Sequence, residues 1–374
     1  MFNAFSALSF AQVTNDPDLQ KQWWVKAPKK NGGANLEKAW KVTKNNYTPI
    51  IAVIDEGFHL DHEDLEGRVL LNYKEIPDNN IDDDNNGYVD DYFGYAYPFC
   101  KGLPIEIIEV IERSSISCKP TMKPTGRLGH HGNHVAGIIG ATHNNGKGIA
   151  GVSKYSKLIP IKNYTFGWDI NSQKSGWRSI ESLAISINYA ISRGADVINI
   201  SQHIGKEITD GPELIEAYDK MNNVLVEADR KNVIIVVAAG NHNLKNNSGN
   251  FGEMAKHYKN IIIVGNSGLN GRKSVDSNYG DEAVHIFAPG TYIYSLGAND
   301  GEFFSHEYFY ESGTSMAAPI VSGIIGLVLS THGPQAAVNI RERIIKTSYK
   351  YKYLNGYAKA GGVIDAYRAI KTSH

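Results

Sequence analysis

Residues 313–319 read Gly-Thr-Ser-Met-Ala-Ala-Pro and lead into an apolar run from Ile320 to Leu329. The run predicts a buried helix, which places Ser315 at or near the helix N-terminus. Unpaired N–H groups and the positive end of the helix dipole favour negative charge there. A hydroxyl that must become an alkoxide-like nucleophile gains from that position. The small residues Gly313, Ala317 and Ala318 leave room for another backbone to approach. Taken alone, the segment describes an N-cap serine on a core helix.

Two further segments change that reading. Ile50-Ile51-Ala52-Val53-Ile54-Asp55-Glu56-Gly57 predicts a fully buried strand with a carboxylate at its C-terminal edge. Ligands of open α/β sheets gather outside the carboxyl ends of the strands, where Asp55 can orient an imidazole. Gly129-His130-His131-Gly132-Asn133-His134-Val135-Ala136-Gly137 sets histidines between glycines at the start of a helix-like stretch. A general base needs hydrogen-bond reach to its nucleophile and an orienting group on its other nitrogen. Asp55 and Ser315 are suited to those two places.

The order Asp, His, Ser resembles the subtilisin-like serine proteases. The resemblance rests on IAVIDEGFHLDHEDL (51–65), HGNHVAG (131–137) and GTSMAAP (313–319), and it extends from about Trp23 to Ile370. It implies Asp55 as orienting carboxylate, His131 as general base and Ser315 as nucleophile. His134 is expected to be a packing residue, and His130 is out of register. The resemblance also implies that Asn241, at the end of the apolar segment Val233 to Ala239, is the side-chain donor of an oxyanion hole. Ala239, Gly240 and Ser201-Gln202-His203 are then expected to line the substrate cleft. The expected activity is endopeptidase hydrolysis through an acyl-enzyme, with a polypeptide substrate bound as an added strand. A transpeptidase or macrocyclase on the same fold, and a catalytically idle binding module, are the alternatives.

Three positions depart from the family pattern. Glu56 stands where a small hydroxyl residue is commoner, although kexin-like relatives carry an acid there. Asn133 replaces the usual threonine. Gln202 and His203 are bulkier and more polar than usual, which predicts a narrowed or more polar pocket. The other substrate-pairing strand is expected at about 167–176.

The rest of the chain agrees. Its 374 residues, 42% hydrophobic, suffice for a sizeable core. Lys+Arg total 38 and Asp+Glu 39, which offers no electrostatic case for nucleic acid or an anionic membrane as partner. The apolar run after Ser315 is broken by Ser322, Gly323 and Gly326, so no membrane span is expected. Alternating segments predict strands at 50–54, 158–162, 196–200, 233–239, 261–265 and 284–287. They predict helices at 34–40, 132–141, 178–193, 211–231, 315–330, 334–347 and 363–371. Together they make a three-layer α/β fold: a mostly parallel sheet with helices on both faces. Stretches 143–151, 243–250 and 266–280 read as loops. Residues 1–22 are read as an N-terminal extension or signal-peptide remnant, which points to secretion. Residues 23–374 are read as one catalytic domain with an insert at about 74–129.

The two cysteines, Cys100 and Cys118, lie in that insert; a disulfide and two free thiols both remain open. The insert also holds Asp82-Asp83-Asp84-Asn85-Asn86-Gly87-Tyr88-Val89-Asp90-Asp91, which resembles the first half of an EF-hand calcium loop. Asp82, Asp84, Asn86, Tyr88 (by its carbonyl) and Asp90 are the expected ligands of a structural calcium. The twelfth position is Phe93 rather than a glutamate.

Overall fold

A strand such as Ile51-Ala52-Val53-Ile54 has no polar face because neither face of its sheet meets water. Ile51 and Val53 pack into one hydrophobic core, while Ala52 and Ile54 pack into the other. Ile234, Val236 and Ala238 alternate with Ile235 and Val237 in the same way. This is the period-two pattern of a sheet covered on both sides. The computed structural model describes residues 13–97, 130–163, 175–202, 212–299 and 305–372.

In chain order the described strands are β1 (Ile50–Asp55), β2 (Tyr95–Ala96), β3 (Lys157–Lys162), β4 (Val197–Ile200), β5 (Ile234–Ala238), β6 (Ile261–Ser267), β7 (Ile286–Pro289), β8 (Ile293–Asn299), β9 (Ser305–Glu311), β10 (Tyr349–Lys350) and β11 (Gly362–Val363). Nine form one sheet in the order β10-β11-β7-β6-β5-β4-β1-β3-β2, parallel except for the β10–β11 pair. β8 and β9 form a separate antiparallel hairpin. The principal helices are α1 (Leu36–Val42), α2 (His130–Gly140), α3 (Ser175–Ser192), α4 (Pro212–Arg230), α5 (Gly249–His257), α6 (Thr314–His332), α7 (Ile340–Thr347) and α8 (Ala366–Lys371). Apolar residues of α1, α2, α6 and α8 fill the core on one face, and those of α3, α4 and α5 fill the other. The three-layer α/β architecture expected from the sequence is the one observed.

α6 is apolar on all sides because it lies inside the protein. It runs through Ser322, Gly323 and Gly326, as the helix expected at 315–330 does. Among the described residues it is the one helix long and apolar enough to cross a membrane, with mean hydropathy 1.6, and 89% of that window is buried in the core. Its glycines serve close packing: a Cβ on Gly323 would lie 2.5 Å from the Val152 side chain.

Several boundaries differ from expectation. The helix read at 334–347 is a short 3-10 turn, Pro334–Ala337, followed by α7. Asn339 breaks it with a left-handed backbone (φ 65°). The segment read as a helix at 363–371 begins as β11 and becomes helical at Ala366. α5 starts within a stretch read as loop, and the β8–β9 hairpin was read as neither helix nor strand.

The described part of the insert is tied to the body by Asp91. This buried carboxylate accepts from Tyr189 Oη (2.7 Å) on α3, from Arg193 Nη1 (2.9 Å) just after it, and from Asn72 Nδ2 (2.6 Å). Cys100, Cys118, His203 and most of the expected binding strand at 167–176 lie outside the described residues.

Candidate active site

Adjacent strands bring the polar residues together. β5, β4 and β1 are neighbours in the parallel sheet. Their carboxyl ends therefore deliver Asn241, Ser201 and Asp55 to one edge. α2 and α6 pack on the same face and present His131 and Ser315 in their first turns. α2 comes this close because residue 132 is glycine: a Cβ there would sit 2.0 Å from the Gly57 carbonyl oxygen.

His131 Nδ1 lies 2.7 Å from Asp55 Oδ1. A carboxylate accepts, so Nδ1 carries the proton and Nε2 is left with its lone pair. The same Asp55 oxygen accepts from the Glu56 N–H (2.8 Å), and Asp55 is wholly buried. Burial pushes the imidazole pKa down. The charge and hydrogen bond of Asp55 outweigh it and hold His131 up at about 9.

Ser315 and Ser201 are linked in both directions. Ser315 Oγ donates to the Ser201 carbonyl (2.8 Å), and Ser201 Oγ donates to the Ser315 carbonyl (2.9 Å). The second bond has a cause in the sequence. In a helix the Ser315 carbonyl would accept from the N–H of residue 319, but that residue is proline and has none. Ser201 supplies the missing donor and is itself held by Asn199 Nδ2 (2.9 Å).

Asn241 is fixed by Thr314. Its Oδ1 accepts from the Thr314 N–H (2.9 Å) and Oγ1 (3.0 Å). The backbone N–H can only donate, so the amide oxygen must face it and Nδ2 must point the other way. Gly313 shows where. A Cβ on that residue would lie 3.3 Å from Asn241 Nδ2 and 3.7 Å from the Ser315 N. The same Cβ would lie 3.7 Å from Asn241 Oδ1, so the space beside Gly313 is bounded by the whole Asn241 amide and the Ser315 N. Gly313 has extended backbone (φ 162°), so glycine gives room there rather than an unusual conformation.

Of the other expected residues, Gly240 donates its N–H to Thr314 Oγ1 (3.1 Å), and Ala239 is buried with its carbonyl held by Asn278 Nδ2 (2.8 Å). Gln202 is buried and its Nε2 donates to the Asn163 carbonyl (3.0 Å), spanning the ends of β4 and β3. Asn133, the departure from the usual threonine, accepts from the His59 N–H (2.8 Å) and donates to the Gly297 carbonyl (2.9 Å). It clamps the turn after Asp55 to α2 and the hairpin.

Sequence reasoning missed Thr314, whose role follows only from its contacts, and Glu311 at the end of β9. It also missed Glu75. In the insert, carboxylate oxygens of Glu75, Asp82 and Asp84 lie within 4.8 Å of one another. Glu75 is 3% exposed and its Oε2 has no hydrogen-bond partner among the described residues. Other expected ligands have other tasks. Asp90 accepts from the Asn79 and Asn80 N–H groups (3.0 Å each). Asn86 accepts from the Tyr88 N–H (2.8 Å) and turns its amide nitrogen toward Asp91 (3.3 Å).

A parallel sheet with these four side chains at its carboxyl edge and a serine heading the central helix is the architecture of the subtilisin-like proteins. The chain belongs to the subtilase family, whose profile matches residues 46–363. It is 30% identical over 332 residues to the thermophilic serine proteinase of Bacillus sp. (strain AK1), covering 89% of this chain and 64% of that protein. It is 27% identical over 388 residues to the extracellular basic protease of Dichelobacter nodosus, covering 95% of this chain and 55% of the other. The chain thus spans little more than half to two thirds of the length of these relatives. Among solved structures it is similar to a protease from Pseudoalteromonas arctica PAMC 21717, with TM-score 0.63 and 23% identity, covering 96% of this chain and 99% of that one. That likeness is one of fold.

Proposed function

We propose that the protein is a serine endopeptidase that works through an acyl-enzyme. The observation that carries this reading is the pair of donors flanking the Gly313 space, next to a serine on a helix N-terminus. Membership of a family with serine-protease members supports it. Ser315 Oγ leaves the Ser201 carbonyl, gives its proton to His131 Nε2 and attacks a peptide carbonyl. Asp55 holds the imidazole tautomer and stabilises the imidazolium. Asn241 Nδ2 and the Ser315 N–H receive the oxygen as it becomes negative. His131 then protonates the leaving amine, and water, deprotonated by the same imidazole, releases the acid.

The substrate is expected to lie extended beyond the end of β4, next to Ser201, Gln202 and His203, with Ala239 and Gly240 across the cleft. Fluorophosphonate labelling tests the nucleophile. The wild type is expected to gain one adduct on Ser315 and Ser315→Ala none; a wild type that resists the probe sinks the reading. Product masses distinguish hydrolysis from transfer to an amine. An extracellular relative and the N-terminal segment favour export of the protein.

A structural calcium in the insert belongs to the same proposal, with a revised ligand set. Glu75, Asp82 and Asp84 would hold it, since Glu75 brings a buried oxygen with no hydrogen-bond partner among the described residues. Hard cations take such oxygen donors, and neutralising three gathered carboxylates would stiffen the insert. Thermal melting with calcium and with chelator checks this. A transition that rises with calcium in the wild type but not in Glu75→Gln supports the site, and an unchanged wild-type transition removes it.

A further inference from the structure

The hairpin that leads into Ser315 grips α2 at a second histidine. His134 is wholly buried, three residues after His131 on the same helix. Its Nε2 faces the carbonyls of Ile293 on β8 (3.0 Å) and Phe309 on β9 (3.3 Å), and the Phe309 ring packs on the imidazole edge to face. Carbonyls only accept, so Nε2 carries the proton of the neutral ring and Nδ1 is a lone pair.

That lone pair is buried, has no hydrogen-bond partner among the described residues, and faces Glu311 Oε2 at 3.9 Å. Glu311 Oε2 is also buried without a partner among the described residues. Two unpaired acceptors facing each other out of water are costly unless a proton lies between them. The gap is about 1 Å longer than a hydrogen bond. Rotation of the Glu311 side chain, which is 23% exposed, can close it.

We infer that Glu311 is a positioning residue for His131: it stays a neutral carboxylic acid, donates its proton to His134 Nδ1, and so pins the helix of the base to the strand that runs into the nucleophile. The pair fixes α2 from behind, as Asp55 fixes it from the front. It also limits the charge at the site. The ionisable groups near Glu311 are Asp55 and Glu56 at the end of β1, and His130, His131 and His134 on α2. A second full negative charge beside Asp55 is avoided when the acid keeps its proton. Burial raises the Glu311 pKa, His131 pulls it back and Asp55 adds to the rise, while burial, with the neighbouring His131, lowers His134 to about 3.

The role in positioning rests on the reading of His131 as the base; the proton on Glu311 does not. Histidine 15N NMR on the full chain tests the proton directly. The wild type at pH 7 is expected to show a neutral His134 with Nε2–H and an Nδ1 resonance shifted by an accepted hydrogen bond. In Glu311→Leu that resonance is expected to move to the position of a free lone pair, and kcat to fall about tenfold with KM little changed. Glu311→Gln keeps a donor, so His134 Nδ1 stays hydrogen-bonded and the His131 titration midpoint stays within about 0.3 unit of wild type. Should Glu311→Leu fail to fold, Glu311→Gln still decides. A His131 midpoint lowered by a unit or more in that variant means Glu311 is ionised in the wild type and overturns the proposal. So does a wild-type His134 that is doubly protonated, or whose Nδ1 already resonates as a free lone pair.

Discussion

At the scale of single residues, Gly313 makes the clearest demand. The space beside it is bounded by Asn241 Nδ2 and the Ser315 N, and a methyl group would occupy it. Gly313→Ala is therefore expected to reduce kcat by about 10²- to 10³-fold, as loss of an oxyanion donor does. Fluorophosphonate labelling should slow in parallel, because that reaction also builds negative charge at the same point. His131 sets the pH response. Asp55 above all holds the imidazole at about 9, above its ordinary 6.5, so in the proposed mechanism His131 is protonated and idle at lower pH. Activity should rise as pH rises, with the acid limb of kcat/KM displaced upward from 6.5. Glu56 adds to the charge around the ring. Glu56→Gln is expected to move the limb down by about half a unit, and a limb that stays in place would show that Glu56 is not ionised there.

At the scale of elements, the sequence revealed what periodicity and glycine punctuation encode. Uniformly apolar strands such as β1 and β5 announce a sheet buried on both faces, and the apolar length of α6 announces the core helix. The β8–β9 hairpin escaped because segments such as Ser305-His306-Glu307-Tyr308-Phe309-Tyr310-Glu311 mix charged and aromatic residues, and one hairpin face meets solvent. Candidate residues were legible where a motif fixes a residue type, as for Asp55 and His131, which the structure brings within hydrogen-bond distance, and for Ser315 at the start of α6. It was not legible where a role arises from contact, as for Thr314 under Asn241, Ser201 under Pro319, and Glu311 against His134. The EF-hand-like spacing pointed to the right loop but not to Glu75, which joins it from outside the repeat. The insert's attachment is similarly non-local. Asp91 is buried against Arg193, whose side chain is only 10% exposed. Asp91→Ala leaves that guanidinium unpaired and is expected to cost about 3–5 kcal/mol in urea unfolding, while also opening residues 74–97 to limited proteolysis. A cost below 1 kcal/mol would mean that the insert is held by other contacts.

At the scale of the whole molecule, three histidines set an acid limit, two of them buried and His143 half-buried. His134, His143 and His285 are each held at about 3, by burial above all, with nearby positive charge adding to it for His143 and His285. His285 shows the mechanism: its Nδ1 accepts from the Ile263 N–H inside the sheet (2.9 Å), so a proton there would break that bond. These groups have folded pKa values below the unfolded 6.5. Their stabilising effect is thus complete above pH 6.5 and is lost as pH falls toward 3, because the unfolded chain binds the protons first. Each contributes about 1.4 kcal/mol per pH unit in that window. The opposing terms are carboxyls raised by burial, among them Asp64, Asp196, Glu56, Glu75 and Glu311; they favour the folded state on the acid side and soften the fall. Net stability is expected to decline steeply below pH 6, with protons taken up on unfolding. His285→Gln should lower that uptake by about one proton at pH 5, whatever it does to stability itself, because the glutamine cannot titrate. Uptake measured by calorimetry in buffers of different ionisation enthalpy distinguishes the two quantities. An uptake unchanged by the substitution would mean that His285 is already charged in the folded protein, against the hydrogen bond it accepts from Ile263.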